Sequence, residues 1–117
     1  MLLDDIGIVL IGRYDGDRLR RCLESVVDQV PYFVFVDSDS TDGSLELARH
    51  YDIDIIELDK SKPFASPRSR NAGFFHLVET YPEIKYVQFI DGDCVLDPDW
   101  LGKARKTLAN HSQVAVV

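Results

Sequence analysis

Two carboxylates flanking a glycine, Asp91-Gly92-Asp93, close the apolar run Tyr86-Val87-Gln88-Phe89-Ile90. Acids two residues apart on an extended backbone point the same way, and a glycine between them lets the backbone approach a ligand closely. A convergent pair of this kind suits a hard divalent cation that also holds phosphate oxygens. The triplet itself is uninformative here, because Asp-x-Asp recurs at Asp15/Asp17, Asp37/Asp39, Asp52/Asp54 and Asp97/Asp99. Position separates the cases. Asp52/Asp54 precede an apolar run and so lie at the wrong end of a strand. Asp97-Pro98-Asp99 reads as a helix start, with Asp97 as N-cap and Pro98 at the first helical position. Asp15/Asp17 fall in a polar loop before a helix. Only Asp37/Asp39 and Asp91/Asp93 follow an apolar strand directly, which makes them the candidate site acids.

The elements that position these acids alternate between strand-like and helix-like patterns. Strands are expected at Ile6–Ile11, Tyr32–Val36, Ile53–Leu58 and Tyr86–Ile90, with a fifth in the apolar ending Gln113-Val114-Ala115-Val116-Val117. A helix over Asp17–Gln29 carries the stripe Leu19, Cys22, Leu23, Val26 and Val27, with Arg18, Arg20, Arg21 and Glu24 on a solvated face. Ser40, Thr41 and Asp42 can cap a helix over Ser44–Tyr51. A third helix over Pro67–Tyr81 starts at Ser66-Pro67 and buries Ala72, Phe75, Val78 and Leu77, with the Phe74/Phe75 pair in the core. A last helix over Pro98–Asn110 buries Leu101, Ala104 and Leu108, with Trp100 at the edge of the site. Arg68 and Arg70 in the first turns of the third helix oppose its dipole, which points either to an anionic ligand nearby or to a surface salt bridge. His50, His76 and His111 are each placed late in or just after a helix, complementing the dipole, and are assigned no chemistry.

The fold class follows: α/β, a mostly parallel twisted sheet with helices on both faces. The strand order 3-2-1-4 sets the ends of strands one and four side by side at the switch point, where such sheets bind ligands. The Gly12–Gly16 loop and the Asp91-Gly92-Asp93 turn then flank one crevice.

At 117 residues, 45% hydrophobic and 28% charged, the chain is expected to be a single globular domain, 1–117. A formal net charge of −7 argues against nucleic acid as a partner, while a bound cation can still bring a phosphorylated ligand to an acidic surface. Without a long apolar run or a signal peptide, and with two cysteines in no framework spacing, a cytoplasmic, reduced protein is the expectation. An apolar strand at the chain end is an aggregation hazard, so the chain reads as part of a longer protein.

Four segments together resemble the nucleotide-sugar-binding half of family 2 glycosyltransferases, which have the GT-A fold. Ile8-Val9-Leu10-Ile11-Gly12-Arg13-Tyr14-Asp15 is similar to the family's first strand and loop. Val36-Asp37-Ser38-Asp39-Ser40-Thr41-Asp42-Gly43-Ser44 is similar to its acidic turn, Arg70-Asn71-Ala72-Gly73 to its Arg-Asn-x-Gly element, and Asp91-Gly92-Asp93 to its metal-binding motif. Two departures stand out: Gly12-Arg13-Tyr14-Asp15 replaces Pro-Thr-Tyr-Asn, and Asp39 replaces a usual Gly.

The resemblance implies a nucleotide-diphospho-sugar transferase-like fold, the Rossmann-like donor half of a metal-dependent, inverting glycosyltransferase. Arg13 and Tyr14 would lie against the nucleotide, with Asp37 and Asp39 in the same binding set and Asp37 at the base or ribose. Arg70 would help hold the nucleotide. Asp91 would lie at ribose and metal, and Asp93 would ligate Mg²⁺ or Mn²⁺ on the diphosphate. The donor would be a UDP- or GDP-sugar and the acceptor a saccharide, lipid or protein. The general base is expected beyond Val117, so this chain should bind donor and transfer little. Two other readings are weighed. A nucleotidyltransferase of related fold would want a glycine- and lysine-rich phosphate loop after strand one. A non-catalytic, receiver-like module would want an acceptor Asp at the end of strand three, where Asp59 stands.

Overall fold

The structure, a computed structural model, describes residues 3–12, 16–37, 44–58, 61 and 66–117. Its elements run β1 (Ile6–Gly12), α1 (Gly16–Val26), β2 (Tyr32–Asp37), α2 (Ser44–Arg49), β3 (Asp54–Glu57), α3 (Ser66–Thr80), β4 (Tyr86–Asp91) and α4 (Trp100–Asn110). The strands form one parallel sheet in the order β3-β2-β1-β4, as the alternation of elements predicts.

Alternation along β1 divides the core. Ile6, Ile8 and Leu10 face α1, α2 and α4, meeting Leu19, Leu23, Ala48 and Leu101. Val9 and Ile11 face α3 and meet Val34, Val36 and Leu77. β1 is buried on both sides and reads as a continuous apolar run for that reason. The chain thus steps outward through β1, β2 and β3 with helices on one face, then returns through α3 on the other face to place β4 beside β1. The two directions part between β1 and β4.

The helices hold several departures from the sequence expectations. α1 and α2 end earlier than expected, at Val26 and Arg49, and hydrogen-bonded turns carry the chain on. The buried line of α3 is Ser69, Gly73 and Leu77, not Ala72, Phe75 and Val78. A Cβ built on Gly73 would lie 2.4 Å from Val9 Cγ1 and 3.1 Å from Val36 Cγ2. Only a bare backbone lets α3 lie this close to β1 and β2. The helix axis is thereby rolled so that Phe74 and Phe75 turn outward, and Phe75 is 56% exposed. The two rings meet edge to face with centroids 5.6 Å apart.

The far end of α3 is tied to the opposite edge of the sheet. Tyr81 Oη donates to Asp54 Oδ2 at 2.6 Å, and His76 Nε2 lies 2.8 Å from the same oxygen. His76 therefore pairs across to β3 and does not serve the helix dipole. That hydrogen bond, first, and burial push the Tyr81 phenol up to about 12. The Tyr81 ring packs on Tyr32 at 4.5 Å, and Tyr32 donates to Glu83.

α4 starts two residues later than expected. Asp99, not Asp97, is the N-cap residue, and its side chain makes no cap bond. Asp97 Oδ1 instead accepts from the Asp99 N–H at 2.8 Å, and Asp97 O from the Trp100 N–H, closing a turn ahead of the helix. Leu101 is buried, whereas Ala104 and Leu108 are half-buried. The fifth strand does not form. Gln113–Val117 has one turn bond, Val114 N–H to His111 O, and no ladder partner, and Val116 is 84% exposed.

Candidate functional site

The rim of the sheet at the exit of β1 gathers the candidate residues. β1 is in register with β2 through Gly12 and Asp37, and with β4 through Ile11 and Asp91. One acid therefore ends the strand on each side of β1. By parity Asp37 leaves on the α1/α2 face with Phe35, and Asp91 on the α3 face with Val87. Asp37 is 2% exposed, and its carbonyl accepts the Leu58 N–H at 3.0 Å, closing the β2 and β3 ends together.

Asp91 meets the first turn of α3. Arg70 Nη2 stands 3.4 Å from Asp91 Oδ1, with both side chains near half exposed. An ion pair this open contributes about 0–1 kcal/mol. It holds the two groups at the rim without sealing either from an incoming ligand.

After Asp91 the chain turns. Gly92 N–H donates to Ile11 O at 2.8 Å and Cys94 N–H to Asp91 O at 3.0 Å, so Gly92 and Asp93 occupy the middle of a turn. The extended backbone invoked for Asp91 and Asp93 stops at Asp91. Gly92 serves a different purpose from the one its position suggests: a Cβ there would lie 3.3 Å from Ile11 O and 3.4 Å from Leu19. Its bareness lets the turn press against β1. Asp93 stays exposed, with the Cys94 thiol 3.6 Å from its Oδ1.

Arg13, Tyr14 and Asp39 lie outside the described residues, as does Asp59. Of the remaining candidates, Asp37, Arg70, Asp91 and Asp93 come to the same rim, on β2, α3, β4 and the turn that follows. Among the described residues no group of three His, Cys, Asp or Glu side chains could enclose a metal ion. Two exposed carboxylates nonetheless fit a cation such as Mg²⁺, which keeps waters and takes one or two carboxylates plus phosphate oxygens. Trp100 does not stand free at the rim: its Nε1 donates to Gln88 Oε1 at 2.8 Å.

Sequence reasoning missed one contact of a cysteine with the rim. Cys22 is buried on α1, as its place in the stripe predicts, and its thiol points at Asp91 O, 3.8 Å away. Burial pushes Cys22 up to about 12. No local pattern could have announced a contact between residues so far apart in the chain.

Acids at strand ends around a switch point, in a parallel sheet, define the class of Rossmann-like α/β domains that take ligands at the carboxyl edge. The strand order sets it apart from receiver-like domains, whose order is 2-1-3-4-5. A family model described as Glycosyl transferase family 2 matches residues 6–117, and the chain belongs to that family. Among solved structures, a cytidylyltransferase from Leptospira borgpetersenii serovar Hardjo-bovis (strain JB197) is similar, with a TM-score of 0.65 and 15% identity. The match covers 94% of this chain and 51% of that one, so this chain spans about half its length. No curated protein matches. Among the described residues no helix is long and apolar enough to cross a membrane.

Proposed function

We propose that this chain is the donor-binding part of a metal-dependent, inverting glycosyltransferase that uses a UDP- or GDP-sugar. What supports the reading is the Arg70–Asp91 pair at the exit of β1, with Asp37 ending β2 on the other side of that strand, in a family 2 chain. Each then has a task. Arg70 exchanges its loose contact with Asp91 for the diphosphate, whose oxygens suit a guanidinium fork. Asp37 accepts a hydrogen bond from the base or ribose. Asp91 lies at the ribose, and with Asp93 supplies the carboxylates for Mg²⁺ or Mn²⁺. The cation, when bound, neutralises charge that builds on the departing diphosphate. Arg13, Tyr14 and Asp39 complete the nucleotide contacts in this reading, and the acceptor is a saccharide, lipid or protein hydroxyl.

A nucleotidyltransferase is the second reading, because the similar structure is a cytidylyltransferase. The two differ in the ligand that binds productively. Ligand-observed NMR with UDP-, GDP- and CDP-sugars, CTP, and a sugar 1-phosphate separates them. Saturation of the sugar protons of one UDP- or GDP-sugar supports the donor-binding role. Binding of CTP and sugar 1-phosphate together, with no response from any UDP- or GDP-sugar, contradicts it.

A further inference from the structure

α1 presents one line of side chains to the segment that follows β4. Leu19, Cys22 and Ser25 are spaced three apart, on one side of the helix, and each meets that segment. A Cβ on Gly92 would lie 3.4 Å from Leu19 Cδ1. Cys22 Sγ lies 3.8 Å from Asp91 O. Ser25 reaches furthest along the chain: its Oγ accepts the Leu96 N–H at 3.1 Å and donates to Cys22 O at 2.6 Å. Donation to the helix uses the hydroxyl proton and leaves the oxygen to accept. The segment is thereby fastened at both ends. Gly92 N–H holds its start to Ile11 O at 2.8 Å. Leu96 holds its end, by the Ser25 bond and by packing against the core on the α1 side. Between these fastenings Asp93 is exposed and Val95 is 65% exposed.

We infer that Ser25 is a positioning residue for the cation site: it holds the far end of the Asp91–Leu96 segment to α1 and so limits where Asp93 places its carboxylate. The inference rests on the metal role proposed above for Asp91 and Asp93. Ser25 acts through Leu96 and not on the cation. A carboxylate on a segment already held loses less freedom when a cation binds, so the fastening is felt as affinity. The Gly92 bond joins two backbones, whereas the Ser25 bond depends on a side chain and can be removed by substitution. Threonine is the conservative replacement, because its Oγ1 can bond the carbonyl one turn back as Ser25 does.

The test compares the whole chain as wild type, Ser25→Ala and Ser25→Thr. Amide hydrogen exchange and ¹⁵N relaxation are read on the metal-free protein, and Mn²⁺ alone is then titrated. In Ser25→Ala the Leu96 amide should exchange about fivefold faster, the loss of one hydrogen bond, while the Leu10 amide in the core of β1 keeps its protection. The Asp93 amide should gain motion, and Mn²⁺ should bind about tenfold more weakly, as when a group that orients a ligand is removed. Ser25→Thr should restore all three. Mn²⁺ binding by Ser25→Ala as tight as by wild type overturns the inference. So does weakened binding matched by equally faster exchange at Leu10, which marks a general loss of stability, and so does Ser25→Thr behaving like Ser25→Ala. A wild type that binds no Mn²⁺ overturns the metal role instead. The Asp93 amide then still decides the fastening: added motion in Ser25→Ala upholds it, and unchanged motion overturns it.

Discussion

Arg70 and Asp91 sit 3.4 Å apart at a rim where neither is buried. Their pair adds little to stability because water screens both charges. The account therefore predicts a separation of effects in Arg70→Ala. Nucleotide binding should weaken by about tenfold or more, the loss of one charge-assisted contact of about 1.5–3 kcal/mol. The unfolding free energy should move by less than about 1 kcal/mol. Titration calorimetry and urea denaturation on the same preparation check both halves. The Asp5–Arg105 pair, at 2.8 Å, behaves oppositely, because Asp5 is largely covered and ties α4 to the start of β1. The hydrogen bond from Arg105 holds the Asp5 carboxyl below its ordinary value. A depressed folded-state value stabilises above the unfolded value and is lost as pH falls through the folded one. Arg105→Ala should thus lower stability at neutral pH, and the gap to wild type should close as pH drops below about 4. Chemical denaturation across pH 7 to 3 measures it.

α3 decides how the rim is held. Its inner line is Ser69, Gly73 and Leu77, seated against Val9 and Val36. Gly73→Ala places a methyl group where Val9 already stands, and overpacking of this kind costs about 1–3 kcal/mol. The shift should also weaken nucleotide binding, since Arg70 rides on the same helix. Leu77→Ala should cost about 2–5 kcal/mol, whereas Phe75→Ala, on the outer face, should stay within about 0.5 kcal/mol. Urea midpoints of the three variants check the order. Helical periodicity could not show this arrangement. Phe75 and Val78 mark an apolar stripe, yet the buried face carries a serine and a glycine, which have no hydrophobic signal. The roll of α3 comes from the space that Gly73 leaves, a tertiary effect.

Across the whole molecule, the strand order was readable because alternating elements with right-handed crossovers leave few arrangements. From that order followed the places of Asp37 and Asp91, one strand away from β1 on either side. The apolar tail Gln113–Val117 misled because strand propensity depends on packing context and not on composition alone. Asp93 was legible as an exposed acid beside Asp91, but the turn that carries it depends on Gly92 pressing on Ile11. The contact of Cys22 with that turn emerges only once α1 packs beside β4.

The central claim is that a cation held by the turn after β4 brings a nucleotide diphosphate to the rim. Calorimetric titration of UDP and GDP, with and without Mn²⁺, against wild type and Asp93→Ala tests it most directly. The account predicts binding of one nucleotide that needs Mn²⁺ and is lost in Asp93→Ala, with thermal unfolding of the two proteins alike. Equal binding with and without Mn²⁺, or undiminished binding by a folded Asp93→Ala, would contradict it.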